Sequence, residues 1–191
     1  MKNLKRILFL GFVLISFATT ISAQDAYSVQ SHEVVISGTS NIHDWTAQVM
    51  NLTGSAKIAE GLLTEVNINV NAKTLKSSKG SIMDSKMQDA LNTEKFPKIS
   101  YKLISNKIVS ENNGITKISS TGNLTISGES KTIATTSICK TLPNENIEVS
   151  GSFDVLMTNY GIEPPTALFG TLKTANKVTV NFRITFQKLK G

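Results

Sequence analysis

The C-terminal part of the chain alternates strictly between apolar and polar side chains. The apolar positions are Val178, Val180, Phe182, Ile184 and Phe186, and the residues between them are Thr179, Asn181, Arg183 and Thr185. Successive side chains of a β-strand point to opposite faces, so all five apolar groups lie on one side. The same alternation recurs along nearly the whole chain, which predicts an all-β protein with one buried face.

The alternating runs and the turn residues between them predict eight strands. They begin near residues 27, 45, 66, 99, 115, 132, 147 and 178. Asn113-Gly114, between the fourth and fifth strands, suits a tight hairpin turn. The first strand is interrupted near Gln30-Ser31. In the second strand the apolar phase slips by one residue after Val49, which predicts a β-bulge near Met50-Asn51.

One segment has the period of a helix instead. Met83, Met87, Ala90 and Leu91 are spaced to share one helical face. Ser81 or Ser78 is expected to cap the start of this helix, and Phe96-Pro97 to end it. The pattern predicts one short helix between strands three and four.

Eight antiparallel strands joined by hairpins predict an up-and-down barrel, which has no free sheet edge. A barrel of eight strands is either filled by its own side chains or holds one small ligand, and a long, narrow interior suits an extended apolar chain. A two-sheet sandwich is the alternative architecture. An outer-membrane barrel would turn the same apolar face toward lipid, but the scarce aromatic residues and the helical segment speak against it.

The N-terminus predicts export. Three basic residues, Lys2, Lys5 and Arg6, precede the apolar run 7–17, and small residues follow up to Ala23. This is the pattern of a cleaved signal peptide over residues 1–23, and the run is too short to span a bilayer. We expect a periplasmic domain over residues 24–191 that does not span the membrane after cleavage. The oligomeric state stays open, a homodimer included.

The composition of the mature chain excludes several classes of function. The net charge of +6 falls to +3 without the signal segment, and no basic run is interleaved with aromatics, so we expect no nucleic-acid partner. Cys139 is the only cysteine, and in a strand pattern it is expected to be buried rather than reactive. Neither a metal site nor a cofactor is expected, because His32 and His43 lack a third ligand and no cofactor-binding motif appears.

The densest polar and aromatic cluster is Asn41-Ile-His-Asp-Trp45. His43 beside Asp44 could act as an acid/base pair, but adjacent strand residues point oppositely, which favours a structural turn anchored by Trp45.

A second set of candidates could contact a ligand or simply pack the core. Met83, Met87 and Leu91 form a soft apolar helix face that suits closure over a flexible lipid tail. Phe153, Tyr160 and Phe169 could line the same cavity. The loop Gly161–Gly170 is long for a hairpin and is typical of a functional rim.

Several segments together resemble the YceI-like family of exported lipid-binding proteins. They are Tyr27-Ser-Val with Ser31-His32, the helix running into Lys95-Phe-Pro-Lys-Ile99, the segment Gly122-Asn-Leu-Thr-Ile-Ser-Gly-Glu-Ser-Lys131, and the segment Phe153-Asp-Val-Leu-Met-Thr-Asn-Tyr-Gly161. The resemblance covers nearly all of the mature chain. It implies a lipocalin-like barrel that sequesters a polyisoprenoid or similar amphiphile.

The residues and the resemblance together lead to one main hypothesis. It is a non-enzymatic periplasmic protein that binds a polyisoprenoid or fatty-acid-like lipid in an elongated barrel. The apolar strand residues and the helix face would contact the tail, and His43, Asp44, Trp45 and Tyr160 the polar end. Two alternatives stay open: an interaction module whose bore is filled by its own side chains, and a hydrolase or isomerase that uses His43 with a carboxylate.

Overall fold

A computed structural model of the protein describes residues 24–59, 62–167 and 170–189. In these ranges the strands are β1 (Asp25–Ser40), β2 (Asp44–Val49), β3 (Leu52–Ala59), β4 (Leu62–Asn71), β5 (Leu75–Ser77), β6 (Lys98–Asn112), β7 (Ile115–Ile126), β8 (Glu129–Thr141), β9 (Ile147–Leu156), β10 (Thr166–Ala167) and β11 (Leu172–Lys188). The helix α1 spans Ser81–Ala90, and two 3₁₀ helices span Ala72–Thr74 and Met157–Tyr160.

The strands close into an antiparallel barrel with eight positions around its wall. The order is β1, β2 with β3, β4 with β5, β6, β7, β8, β9 and β11. The pairing of β11 with β1, from Tyr27↔Lys188 to Ser40↔Thr174, completes the ring. β10 pairs only with β11. The predicted eight-stranded barrel is confirmed, and the two-sheet sandwich does not form because the first and last strands share a ladder.

The sequence predicts a β-bulge near Met50-Asn51, and the strand breaks there: β2 ends at Val49 and β3 begins at Leu52. Both pair with β1 in the same register, with no pairs between Gln48 and Ser55. The register slip of one residue lies between β1 and β11, from Val29 to Ser31, where the sequence predicts an interruption of the first strand. β1 and the β2–β3 segment beside it therefore change apolar phase at the same height of the barrel wall. There the His32 ring Nε2 hydrogen-bonds the carbonyl of Val49 at 3.2 Å.

The helix differs from its prediction in both caps and in its setting. It starts after Gly80, whose φ of +86° suits glycine, and no side chain caps it. It ends at Ala90, and Asn92 has a φ of +49°, so the chain leaves the helix before Phe96-Pro97. The short strand β5, not predicted, lies between β4 and α1. The helix thus follows the fifth observed strand, β5. It still lies between the third and fourth strands predicted from the sequence, which are β4 and β6.

The apolar faces of the strands point into the barrel. Leu75 and Ile118 are among the most buried side chains, with exposed fractions of 2% and 1%. The apolar alternation of β7 and β11 therefore turns inward, opposite to the orientation of an outer-membrane barrel. The hairpin from β6 to β7 turns at Asn113 and Gly114, with φ of +49° and +74°, as Asn-Gly predicts. Among the described helices, none has the length and apolar character needed to cross a bilayer.

Candidate functional site

An elongated apolar cavity runs inside the barrel. Every strand around the wall contributes side chains to it, from Val34 on β1 to Phe186 on β11. The cavity has a volume of about 190 Å³, more than ten times the roughly 10–15 Å³ that one buried water needs. The bore is therefore not filled by its own side chains.

The lining favours a hydrocarbon guest over water. Of its 25 residues, twenty are apolar, five carry a hydroxyl group and none is charged. A buried water is retained where two to four polar groups bind it, and an apolar cavity of comparable size stays dry or takes an apolar ligand. An ionised ligand group would lose its hydration inside this bore without gaining a counter-charge.

The antiparallel topology brings most of the predicted site residues to one end of the barrel. The β1–β2 turn, the α1 segment, the β7–β8 turn and the β9–β11 connection all lie at that end, which we call the helix end. His43, Asp44 and Trp45 are on the first connection, Met83, Met87 and Leu91 on the second, and Tyr160 on the last. Residues far apart in sequence thus share one region of the molecule.

His43 and Asp44 form a tight turn between β1 and β2. The Ser40 hydroxyl donates to the His43 carbonyl at 2.8 Å and accepts from the His43 amide at 3.1 Å. Both His43 and Asp44 are exposed, and neither lines the cavity. This geometry agrees with the structural interpretation of the cluster, and contact with a ligand head group stays a prediction.

Trp45 helps to close the helix end. Its ring covers Gly38 so closely that a Cβ there would overlap the indole, and it packs beside Leu91 on the apolar cluster of this end. Its Nε1–H is buried without a hydrogen-bond partner in the described part of the chain. Asn41 fastens the same turn to β11, because its side-chain amide donates to the Thr171 carbonyl at 2.7 Å and accepts from the Lys173 amide at 2.9 Å.

Helix α1 rests on the barrel through Met87 and Leu91, whose partly buried side chains pack against the core. Met83, also partly buried, is not part of either core cluster. The buried residue of the helix is instead Asp84. Its carboxylate accepts from the Ser77 amide at 2.6 Å and from Lys76 Nζ at 2.9 Å. These two hydrogen bonds lower the pKa of Asp84, and the bond from the Ser77 backbone amide has the larger effect.

Among the predicted site residues that the structure describes, Phe153 alone lines the cavity directly. Its ring lies 6.1 Å from that of Phe182, which also lines the bore. Tyr160 is buried in the apolar cluster of the helix end, where burial raises its pKa. Phe169 lies outside the described residues.

The sequence prediction missed a group of hydroxyl residues on the inner wall. Ser120 and Ser137 line the cavity with exposed fractions of only 7% and 6%. Ser120 lies directly across from Thr135 on β8, and Thr135 hydrogen-bonds Tyr101 on β6. The available signal was phase: Ser120 occupies an inward position in the series Ile118, Ser120, Gly122, Leu124.

The chemistry expected of Cys139 is that of a packed side chain. It lies partly buried against the core, and burial raises the pKa of its thiol to about 11. Within the described ranges no three His, Cys, Asp or Glu residues come together as a metal site.

Comparison with known proteins identifies the family. The YceI-like domain family matches residues 20–186, whereas no curated protein matches the chain. Among solved structures, the fold is similar to a polyisoprenoid binding domain from Saccharophagus degradans implicated in plant cell wall breakdown (TM-score 0.70, 14% identity, covering 85% of this chain and 98% of that one).

Two further structures share the fold. Burkholderia cenocepacia BcnA aligns with a TM-score of 0.64 at 12% identity over 81% of this chain and 95% of that one. The Campylobacter jejuni YCEI protein aligns with a TM-score of 0.55 at 13% identity over 100% of both chains. At these identities the structures establish a common fold. Together with the family match over nearly the whole length, they show that this chain belongs to the YceI-like domain family.

Proposed function

We propose that this protein binds a long-chain amphiphile, a polyisoprenoid or a fatty-acid-like lipid, and sequesters the chain inside the barrel. The observation that carries the proposal is the unfilled apolar bore, to which every strand of the wall contributes. An interaction module with a solid core would have no such space. The similar domain from Saccharophagus degradans, described as polyisoprenoid binding, supports the proposal.

The energetics of burial support a tail of moderate length. Each buried CH₂ contributes about 0.8 kcal/mol, and a micromolar Kd corresponds to about 8 kcal/mol. Roughly ten buried methylene groups are therefore enough in gross terms, before the cost of ordering the chain. The cavity extends from Phe186 to Leu124 and Ile126 near the helix end, so an extended chain meets apolar side chains along its length.

The residues at the helix end are proposed to meet the polar end of the lipid. His43 and Asp44 are exposed on the first turn, and Trp45 carries a buried N–H without a partner in the described ranges. Tyr160 is proposed to meet the polar end as well. The tail is proposed to contact the helix face of Met83, Met87 and Leu91, and Phe153 and Phe169 are proposed to line the cavity.

The site of action is proposed to be the periplasm. The basic, apolar and small-residue segments of residues 1–23 support export. N-terminal sequencing of the protein from fractionated cells should give a mature chain that starts near Gln24 in the periplasmic fraction. An intact N-terminus in the cytoplasmic fraction would contradict this.

Mass spectrometry of the protein purified from its native host tests lipid binding. Native spectra should show a bound species, and solvent extraction should release a long-chain lipid.

Val180→Trp fills the bore, because Val180 lines the cavity, and should abolish the bound species. The matched control is Asn181→Trp, whose exposed position lies on the outer face of the same strand, and which should retain it. Circular dichroism establishes that both variants are folded. The proposal would be overturned if the wild-type protein carried no lipid and did not bind added isoprenoid alcohols.

A further inference from the structure

One side of the bore differs in chemistry from the rest. Tyr101 on β6, Ser120 on β7, and Thr135 and Ser137 on β8 all line the cavity, and their three strands are neighbours in the barrel. We call these four residues the hydroxyl wall. Ser120 and Thr135 are paired directly across the β7–β8 ladder, and Ser137 is opposite Ile118. All three serine and threonine positions lie near the middle of their strands, far from both ends of the barrel.

Two hydroxyl groups of this wall have no protein partner. The Tyr101 and Thr135 side chains hydrogen-bond each other. Ser120 and Ser137, by contrast, are more than nine-tenths buried and line the cavity, and across the described chain neither hydroxyl makes a hydrogen bond to protein. Unlike Trp45 Nε1, which is buried without a partner in the described ranges, these two hydroxyl oxygens touch the space inside the bore. A polar group without a protein partner favours a ligand that can hydrogen-bond it.

The local packing keeps this wall open to a ligand. Gly122, the next inward residue on β7, has its Cβ direction occupied by the Tyr101 phenol ring. Gly151, paired with Ser137 across the β8–β9 ladder, is likewise covered by Phe182. The missing side chains at Gly122 and Gly151 leave room for these two rings against the wall.

We propose that the hydroxyl wall selects lipids that carry an uncharged oxygen function, a hydroxyl or carbonyl, at a depth halfway along the bore. This rests on the proposed lipid binding and narrows its ligand class. Ser120 and Ser137 would donate to, or accept from, that oxygen. Since no charged residue lines the cavity, a carboxylate or phosphate is disfavoured at this depth and stays in water at the barrel end.

Positional isomers of a hydroxylated fatty acid test the depth. The probes are stearate, 2-hydroxystearate and 12-hydroxystearate, and the readout is the Kd for displacement of a bound apolar fluorophore. With the carboxylate held at the end of the barrel, only the 12-hydroxyl reaches deep into the bore. The wild-type protein should bind 12-hydroxystearate about fivefold to tenfold more tightly than 2-hydroxystearate, the effect of one net hydrogen bond.

Serine variants assign this preference to the wall. In Ser120→Ala/Ser137→Ala the Kd ratio of the two isomers should fall to about one. The control Ser119→Ala removes a hydroxyl from the neighbouring residue, which does not line the cavity, and should leave the ratio unchanged. Equal affinities for all three probes, or a preference that survives the double substitution, would overturn this inference and leave lipid binding standing. Failure of every probe and of an added isoprenoid alcohol to bind would overturn both.

Discussion

Gly122 and Tyr101 illustrate how single residues shape the bore. A side chain at position 122 would meet the Tyr101 ring, and Tyr101 also hydrogen-bonds Thr135. Gly122→Ala should therefore displace the ring and lower the free energy of unfolding by about 1–3 kcal/mol, the usual cost of overpacking. Urea denaturation measures this. The control Lys117→Ala, at an exposed position of the same strand, should change stability by less than about 0.5 kcal/mol, and equal effects of the two variants would argue against this explanation by packing.

Cys139 offers a second test at the residue scale. Its thiol pKa of about 11, against 9.0 for a free cysteine, keeps it protonated below that pH, so at pH 8 the folded protein holds roughly 100-fold less thiolate than the unfolded chain. Reaction with a thiol-specific chromogenic disulfide should slow by at least that factor on folding. Equal rates for native and urea-unfolded protein would show that the thiol is accessible and reactive.

Residue-level interpretation of the sequence succeeded where alternation carried the information. Inward strand residues such as Phe153 followed from phase alone. The inward position of Ser120 and Ser137 did not follow from the sequence. A serine among alternating apolar residues reads as a break in the pattern, and only the closed barrel shows that it lines a cavity. For His43 beside Asp44 the sequence favoured a structural turn over an acid/base pair, and the local hydrogen bonds of His43 to Ser40 agree with a turn.

At the level of single elements, the buried Asp84 carboxylate helps to hold α1 to β5. The lowered pKa of Asp84 means that its stabilising contribution is present above the unfolded-state pKa of about 3.8 and is lost as the pH falls through the lower folded-state value. Asp84→Asn should weaken the docking of α1 at neutral pH and remove most of this acid sensitivity.

Amide hydrogen exchange resolves the effect by element. In wild-type protein, exchange in α1 relative to β7 should be faster at pH 3 than at pH 6 after correction for intrinsic rates. In Asp84→Asn it should be fast at both pH values. The control Asp89→Asn changes an exposed carboxylate of the same helix and should behave like wild type. An unchanged α1 in Asp84→Asn would mean that the other contacts of the helix, such as Met87, Leu91 and the Gln88 hydrogen bond to Lys73, hold it without Asp84.

The elements themselves were predictable to different degrees. Long strands and the Asn113-Gly114 hairpin follow from period and turn chemistry. The three-residue strand β5 is too short to show a period, and it exists because it pairs with β2. The sequence predicted that Ser81 or Ser78 would cap the helix. The helix instead starts after Gly80, and no side chain caps it. The phase slip of the second strand and the interruption of the first were both visible in the sequence, but only the pairing shows that they lie opposite each other.

For the whole molecule, closure joins the two ends of the chain. Tyr27 pairs with Lys188, and such non-local pairing must overcome a large loop-closure entropy during folding. Refolding from urea should therefore take milliseconds to seconds, as in other all-β domains. Stopped-flow fluorescence of Trp45, the only tryptophan, follows the reaction. Complete refolding within microseconds would contradict a rate set by closure.

A crystal structure of the protein purified from its native host tests the central claim most directly. We expect continuous, elongated density inside the barrel, in contact with residues on both sides of the bore, such as Phe153 and Val66, which both line the cavity. A bore that has collapsed onto its own side chains, or that stays empty after incubation with lipid, would contradict the account.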